Sequence, residues 1–290
     1  MRDQAEKLRL KMLESQGVLG RSMAVVSGKG GVGKSNFTTN FAITLAKLGK
    51  KVVVLDMDIG MGNINILIGK TASSNLKDYL VGDVLLEDVM LDGPFDLKYI
   101  AGGSGMSSVM EWTDEMFDSL IQAFEHFQKN FDYILFDMGA GASNWTIDLL
   151  TSIDEIIVIT TAEPTSITDA YSMMKYIHLR DQDKTFYLLC NRVISPDEGQ
   201  ETLGRLRNTM MKFLSKDVIK LGSLPEDLSV RKAVREQVPF SISYPNAPIT
   251  KTLQTIVDRF VHQQMEEVYA PIHHHTFLSK LRKIFSKGRD

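Results

Sequence analysis

Short apolar runs rich in β-branched residues alternate along the chain with stretches of helical periodicity. Between the runs, apolar residues recur on one helical face, as at Phe37, Phe41, Leu45 and Leu48. Alternation of strand and helix predicts an α/β fold with a mostly parallel, doubly wound sheet covered by helices on both faces. Ligands of such sheets bind at the carboxyl ends of the strands, so the residues there are the first candidates for chemistry. The predicted strands are residues 22–28, 50–58, 95–103, 131–139, 155–164, 184–193 and 218–227.

A glycine-rich loop with the spacing G-x-x-x-x-G-K-S follows the first predicted strand and opens an amphipathic helix. In this context the backbone N–H groups of the loop and the positive end of the helix bind phosphate. Lys34 is predicted to reach the β- and γ-phosphates, and the Ser35 hydroxyl to ligate Mg²⁺. The loop therefore predicts a P-loop site for a nucleoside triphosphate. Its predicted binding residues are Gly28, Lys29, Gly30, Gly31, Val32, Gly33, Lys34, Ser35 and Asn36.

Carboxylates follow two further predicted strands. Asp56 and Asp58 end the run VVVLDMD, and Asp137 follows the run YILF. Because side chains alternate along a strand, Asp56 and Asp58 cannot point the same way while the strand continues. One can face the water shell of a metal ion and the other an attacking water molecule. Asp137 has the position of a Walker-B carboxylate, which holds Mg²⁺ through water.

These motifs together resemble those of the deviant Walker A ATPases, the family typified by MinD, ParA and the nitrogenase iron protein. The resemblance extends from about Ser22 to about Arg259, and it rests on KGGVGKS at 29–35, LDMD at 55–58 and FDMGAG at 136–141. It implies a MinD-like P-loop NTPase fold of the SIMIBI class, with ATP and Mg²⁺ as cofactors. The family usually carries proline two residues after the Walker-B aspartate, where this chain has Gly139. That difference leaves the conformation of the switch loop open.

The resemblance also implies roles for individual residues. Lys29 would reach across a face-to-face homodimer to the phosphates of the partner's nucleotide, where its charge offsets repulsion between two ATP-loaded faces. Asp58 would orient or activate the attacking water, and Asp56 and Asp137 would organise Mg²⁺ through its water ligands. Two segments resemble the adenine-recognition segments of the family; they comprise Asn191, Arg192, Pro225, Glu226 and Asp227.

Composition and charge limit the remaining possibilities. The chain has 290 residues, 43% of them hydrophobic, and predicts one globular domain, residues 21–270, between appendages at 1–20 and 271–290. Its formal net charge of −3 argues against a surface built to hold nucleic acid. The single cysteine, Cys190, fits a reducing compartment and excludes the iron-protein branch, which needs cysteines for its cluster. With no secretory signal and no apolar run of about twenty residues, we expect a cytoplasmic protein.

The C-terminal segment TFLSKLRKIFSKGRD predicts a basic amphipathic helix, with Lys280, Arg282, Lys283 and Lys287 beside its apolar face. Such a helix suits the plane of an anionic membrane surface, and we expect peripheral binding at the inner face of the cell membrane in the ATP-bound state. The alternative is a terminal helix packed on its own domain. The predicted membrane-facing residues are Phe277, Leu278, Leu281, Ile284 and Phe285.

The N-terminal segment DQAEKLR is, from its residues alone, a short and weakly anchored amphipathic helix. Together with the core motifs and the basic tail, it resembles the FlhG family of ATPases that control flagellar number and position. The resemblance implies that the segment stimulates the signal-recognition-particle-type GTPase FlhF through Gln4, Leu8 and Arg9, and that flagellar switch-complex proteins are further partners. A ParA-like DNA-partitioning ATPase and a nucleotide-holding scaffold without turnover are the alternatives.

Overall fold

The computed structural model describes residues 19–58, 62, 64–102, 113–139, 144–262 and 277–286. Within these ranges one sheet has eight strands: β1 Arg21–Val26, β2 Val52–Met57, β3 Leu91–Asp92, β4 Lys98–Ile100, β5 Tyr133–Met138, β6 Glu155–Thr160, β7 Thr185–Val193 and β8 Ile219–Pro225. Their order in the sheet is β3-β4-β2-β5-β1-β6-β7-β8. Neighbouring strands are parallel except for the antiparallel pair β3 and β4.

This architecture confirms the predicted α/β fold and a strand within each predicted apolar run. The additional strand, β3, was not predicted, because two residues at a sheet edge are too short to form a hydrophobic pattern. The central strands β1, β2, β5 and β6 are buried along their whole length apart from Arg21. Continuous burial is expected for a parallel sheet that is covered on both faces.

Helices cover both faces of the sheet. The helices of the described ranges are α1 Lys34–Lys47, α2 Ile64–Ile68, α3 Leu76–Leu80, α4 Leu86–Val89, α5 Asp114–Asn130, α6 Asn144–Ser152, α7 Pro164–Arg180, α8 Pro196–Leu214, α9 Leu228–Glu236, α10 Phe240–Ser243, α11 Pro248–Val261 and α12 Phe277–Ser286. On one face, α1 and α11 meet through Phe41 and Phe260, whose ring centroids are 5.5 Å apart. On the other, Phe124 of α5 packs against Phe136 of β5 at 5.4 Å. Burial of such a side chain stabilises the fold by about 1.5–3 kcal/mol.

The predicted apolar face of the first helix is correct for Phe37, Phe41 and Leu45, which are buried, and wrong for Leu48. Helix α1 ends at Lys47, and Leu48 is 45% exposed. The reason is the turn that follows: Gly49 adopts a φ of 75°, which reverses the chain towards β2 before Leu48 can complete the face.

The C-terminal helix α12 packs on its own domain, against α5 and α6. Phe277, Leu278 and Leu281 are buried there, and the ring of Phe277 lies 5.2 Å from that of Phe124. This is the alternative arrangement for the tail, in which its apolar face completes the core. None of the helices in the described part of the chain is long and apolar enough to span a membrane.

Candidate nucleotide site

The phosphate-binding loop joins β1 to α1, and two of its glycines have left-handed backbone conformations. Gly31 has φ 80° and Gly33 has φ 90°, a region that residues with a Cβ atom rarely adopt. The Asn191 side-chain amide at the end of β7 donates a hydrogen bond of 2.8 Å to the carbonyl oxygen of Val32. A Cβ atom on Gly33 would lie 2.5 Å from that same amide nitrogen. Asn191 therefore fixes the loop, and glycine at position 33 makes the contact possible.

Lys34, Ser35 and Asp137 are brought together at the base of the loop. Lys34 is buried, and its Nζ lies 3.5 Å from Asp137 Oδ1. The Thr38 hydroxyl donates to the same oxygen at 3.1 Å, and the Ser35 hydroxyl acts to lower the pKa of Asp137. Thr38 was not among the predicted site residues, although its position one turn after Lys34 places it on the same side of α1.

Asp56 and Asp137 are neighbours in the sheet, since they are paired in the register of β2 and β5. Burial and repulsion from Asp137 together raise the pKa of Asp56 to about 6, although the hydrogen bonds from the N–H groups of Ile64 and Asp58 oppose the rise. Burial also raises the pKa of Asp137, while the ammonium of Lys34 and the hydroxyls of Ser35 and Thr38 oppose the rise. Two buried carboxylates side by side are costly without a cation.

The same residues fit a bound Mg²⁺ ion. Asp137 Oδ2 is buried and has no hydrogen-bond partner, which leaves an acceptor for a ligand water of the ion. Mg²⁺ prefers oxygen ligands and retains several waters, so a hydroxyl at position 35 and carboxylates at 56 and 137 form a suitable set. A divalent cation would also offset the repulsion between the two carboxylates.

Asp58 follows the end of β2 and is half-buried. Its backbone N–H donates to Asp56 Oδ1 at 3.1 Å, which ties the two predicted carboxylates together. The Asp58 side chain lies beside Gly139, the residue that follows β5. Gly102, after β4, packs against the carbonyl of Asp56.

The two lysines of the loop have different partners. Whereas Lys34 pairs with Asp137, Lys29 Nζ lies 2.9 Å from Glu163 Oε2 and 3.4 Å from Thr165 Oγ1. Glu163 and Thr165 lie at the start of α7, and Lys29 remains 44% exposed. The ammonium of Lys29 lowers the pKa of Glu163. An exposed ion pair of this kind contributes little to stability, so Lys29 is free to exchange its partner.

A cavity of about 470 Å³ lies beside the loop and brings both predicted adenine-recognition segments together. Its volume is within the range of small-molecule sites. The predicted residues that line it are Gly31, Gly33, Asn36, Asn191, Arg192, Pro225, Glu226 and Asp227. Sequence reasoning missed the opposite wall, which α9 to α11 supply through Val230, Arg231, Val234, Arg235, Phe240 and Ile249. The available indication was the apolar i, i+4 pair Val230 and Val234 directly after the second segment.

Hydrogen bonds hold the walls of this cavity in place. Glu226 accepts from Arg192 Nε at 2.7 Å and from Arg231 Nη2 at 3.4 Å. Asp227 caps α9 by accepting from the Ser229 N–H at 2.9 Å, and its other oxygen accepts from the Ile249 N–H at 3.3 Å. Asp227 therefore positions α9 and α11, in addition to lining the cavity.

Basic residues of α12 pair with acidic residues of the core. Lys280 Nζ lies 2.7 Å from Asp181 Oδ2, and Arg282 forms an ion pair with Glu125 of α5. Asp181 also pairs at 3.2 Å with the buried Lys184. The side chains of the predicted residues Ile284 and Phe285 lie outside the described residues, as do Gln4, Leu8 and Arg9 of the N-terminal segment.

Comparison with known proteins places the chain among P-loop NTPases. A family profile described as ParA, NUBPL iron-transfer P-loop NTPase, matches residues 19–261. The antiactivator FleN of Pseudomonas aeruginosa is 34% identical over 82% of this chain and 85% of FleN. The flagellum site-determining protein YlxH of Helicobacter pylori is 32% identical over 82% of this chain and 81% of YlxH.

Structural comparison agrees with the sequence matches. The septum site-determining protein MinD of Pyrococcus horikoshii, solved in complex with Mg-ADP, superposes with a TM-score of 0.68 at 23% identity, over 84% of this chain and 97% of that one. At this level of identity the likeness establishes the fold. The chain belongs to the ParA/MinD family of P-loop NTPases, in the FleN/FlhG group that also contains YlxH.

Proposed function

We propose that this protein is a Mg²⁺-dependent ATPase that dimerises with ATP, binds the membrane reversibly and regulates flagellar number and placement. The observation that supports the proposal most directly is the separation of the two loop lysines. Lys34 lies at the base of the loop beside the buried Asp137. Lys29 lies on the surface, where it pairs with Glu163 at the start of α7. One lysine is thus available to its own nucleotide and the other to a partner subunit.

The proposed chemistry is hydrolysis of ATP to ADP and phosphate. Lys34 and the loop N–H groups bind the β- and γ-phosphates, and Asp58 orients the attacking water. Ser35 would hold Mg²⁺ directly, and Asp56 and Asp137 would hold it through water. When bound, the ion neutralises charge that develops on the phosphates. The MinD structure from Pyrococcus horikoshii, solved in complex with Mg-ADP, supports a nucleotide and Mg²⁺ as ligands of this fold.

Replacing Lys29 with alanine is expected to leave nucleotide binding intact and to keep the protein monomeric at concentrations at which the parent dimerises. The substitution removes the charge offered to the partner's phosphates, while Lys34 keeps its contact with Asp137. We expect the dimer dissociation constant with ATP to rise by about tenfold or more, equal to ~1.4 kcal/mol. Light scattering coupled to size exclusion, with ATP, with ADP and without nucleotide, measures this.

The matched control is Lys175→Ala, which removes another exposed lysine, from α7. It should dimerise with ATP as the parent does. If the Lys29 variant dimerises equally well, Lys29 does not act across the dimer. If the parent protein is monomeric in all three conditions, the proposed ATP switch is wrong.

The position of α12 on the domain supports a model in which the core and the membrane compete for the apolar face of this helix. In the structure, the apolar face of α12 packs against α5 and α6, and its Lys280 and Arg282 form ion pairs with Asp181 and Glu125. An anionic bilayer offers the same two features, an apolar interior and negative charge. Helix α6 follows β5, which carries Asp137, so a change at the γ-phosphate can reach the surface on which the tail rests. We therefore propose that ATP-driven dimerisation favours tail release.

We further propose that residues 1–20 form a segment that stimulates FlhF, that residues 21–270 form the ATPase domain, and that residues 271–290 form the linker and membrane-binding helix. Flagellar switch-complex proteins are proposed as additional partners, with the protein in the cytoplasm when it is released from the membrane. A ParA-like role in DNA partitioning has less support. The two relatives above are named as an antiactivator and as a flagellum site-determining protein.

Changing Gln4 to alanine in the full-length protein is expected to lower its stimulation of FlhF GTPase activity by about tenfold or more, because a side-chain amide can position the attacking water in GTP hydrolysis. The GTPase rate of FlhF is measured with each variant in excess. Gln16→Ala, an amide in the same segment, is the control and should stimulate fully. An unchanged rate with the Gln4 variant would remove the assigned role.

A further inference from the structure

We propose that Gly139 is a positioning residue for Asp58: its missing side chain makes the space in which the Asp58 carboxylate is held for ATP hydrolysis. This inference rests on the proposed ATPase function and assigns a role to the position at which the chain departs from the usual proline. Gly139, the residue after β5, and Asp58, the residue after β2, meet at this point.

The contact is specific to one side chain. A Cβ atom on Gly139 would lie 3.1 Å from Asp58 Oδ1, 3.5 Å from Asp58 Cγ and 3.5 Å from Asp58 Cα. A separation of 3.1 Å is shorter than ordinary van der Waals contact, so one of the two groups must move by a few tenths of an ångström. Asp58 is the nearest neighbour of that atom, and it is half-buried. Any side chain at position 139 therefore acts first on the carboxylate of Asp58.

The backbone of Asp58 is fixed through Asp56. Its N–H is bonded to Asp56 Oδ1, and that carboxylate is held in turn by the Ile64 N–H at 3.2 Å. Glycines also lie close against Asp56: a Cβ atom on Gly62 would lie 2.9 Å from Asp56 Oδ2, and one on Gly102 would lie 2.4 Å from its carbonyl oxygen. Gly62 and Gly102 thus lie against Asp56, and Gly139 lies against Asp58. Displacement of the Asp58 carboxylate would disturb its proposed alignment with the phosphates.

The backbone of Gly139 does not itself require glycine. It is not among the residues with positive φ, in contrast to Gly31 and Gly33 of the phosphate loop. Alanine at position 139 is therefore free of left-handed backbone strain, and its effect isolates the contact with Asp58. Proline would carry its Cβ at the same place and would need Asp58 to lie farther from the switch loop.

The test is the steady-state kinetics of ATP hydrolysis by the full-length Gly139→Ala protein. We expect kcat to fall by about tenfold, because small misplacement of a water-orienting group is costly, while KM for ATP and ATP-dependent dimerisation stay unchanged. The control is Gly204→Ala in α8, where an added Cβ atom meets nothing within 4 Å. It should hydrolyse ATP at the parental rate. Gly139→Ser adds the same Cβ atom with a different end group and should behave as the alanine variant does.

A double variant separates positioning from a general effect on the fold. If Gly139 acts through Asp58, then Gly139→Ala should slow hydrolysis no further in a protein that already carries Asp58→Ala. Three outcomes would overturn the inference and leave the proposed function intact. The losses in the double variant could be additive, or Gly139→Ala could lose ATP binding. Both Gly139 variants could also keep the parental kcat while Asp58→Ala is slow. Parental kcat in Asp58→Ala would instead refute the role of Asp58 in the proposed function.

Discussion

The Asp58→Ala protein is expected to hydrolyse ATP about 10²-fold more slowly than the parent and to accumulate as an ATP-bound dimer. The carboxylate is proposed to orient the attacking water, and loss of such a group costs about 10²–10⁴ in rate. The phosphate contacts stay in place, because Lys34 is held by Asp137 and the loop is held by Asn191. Substrate binding and dimerisation therefore survive while turnover does not.

Two measurements on the same sample check this result: phosphate release under saturating Mg·ATP, and particle mass by light scattering. Asp118→Ala, which removes an exposed carboxylate from α5, is the control and should keep parental values for both. A variant that turns over at the parental rate would show that Asp58 is not needed for hydrolysis. A parent protein that dimerises with ATP and releases no phosphate would favour a nucleotide-holding scaffold.

The Phe277→Asp protein is expected to lose all ATP-dependent binding to anionic vesicles while still dimerising. Phe277 is fully buried between the rings of Phe124 and Phe136, so a carboxylate there expels the tail from the core. The same carboxylate opposes insertion into the bilayer and is repelled by its surface charge. In this variant the C-terminal helix is therefore expected to leave the core without gaining the ability to bind the membrane.

In the proposed switch, one tail would bind the membrane weakly and a dimer would bring two. The second tail would insert at high effective concentration, which is expected to raise the apparent affinity by about 10²-fold. Sedimentation with vesicles of phosphatidylglycerol and phosphatidylcholine measures binding of the ADP and ATP states. Phe213→Asp, at a phenylalanine of α8 that is 64% exposed, is the control and should sediment as the parent does. Equal sedimentation of the ADP-bound monomer and the ATP-bound dimer would refute the coupling between ATP and the membrane.

The phosphate loop and the acidic strand ends were predictable because their determinants are local. Glycine spacing, an apolar run before it and an amphipathic helix after it all lie within residues 22–48. The meeting of Asp56 with Asp137 follows from two strands that end at the same edge of one sheet. The fold class supplies the parallel direction of the strands, whereas the adjacency of β2 and β5 is known only from the structure.

The rest of the site depends on contacts between distant segments. The wall formed by α9 to α11 reaches the loop through tertiary packing, as when the Ser241 N–H donates to Asn40 Oδ1 at 2.8 Å across 201 positions of sequence. The sequence could not decide where the C-terminal helix α12 binds, for another reason. An apolar stripe flanked by cations fits a lipid surface and a groove bordered by Asp181 and Glu125 equally well. Only the shape of the core decides between them.

The burial of Cys190 in β7 makes the protein resistant to thiol chemistry in its folded form. Burial raises the pKa of this thiol to about 11, so the reactive thiolate is scarce at neutral pH. It is the only cysteine of the chain, and the next residue, Asn191, holds the phosphate loop. An alkylating reagent can therefore react with Cys190 only when β7 opens locally. The rate of labelling then reports the frequency of local unfolding of the strand beneath the phosphate loop.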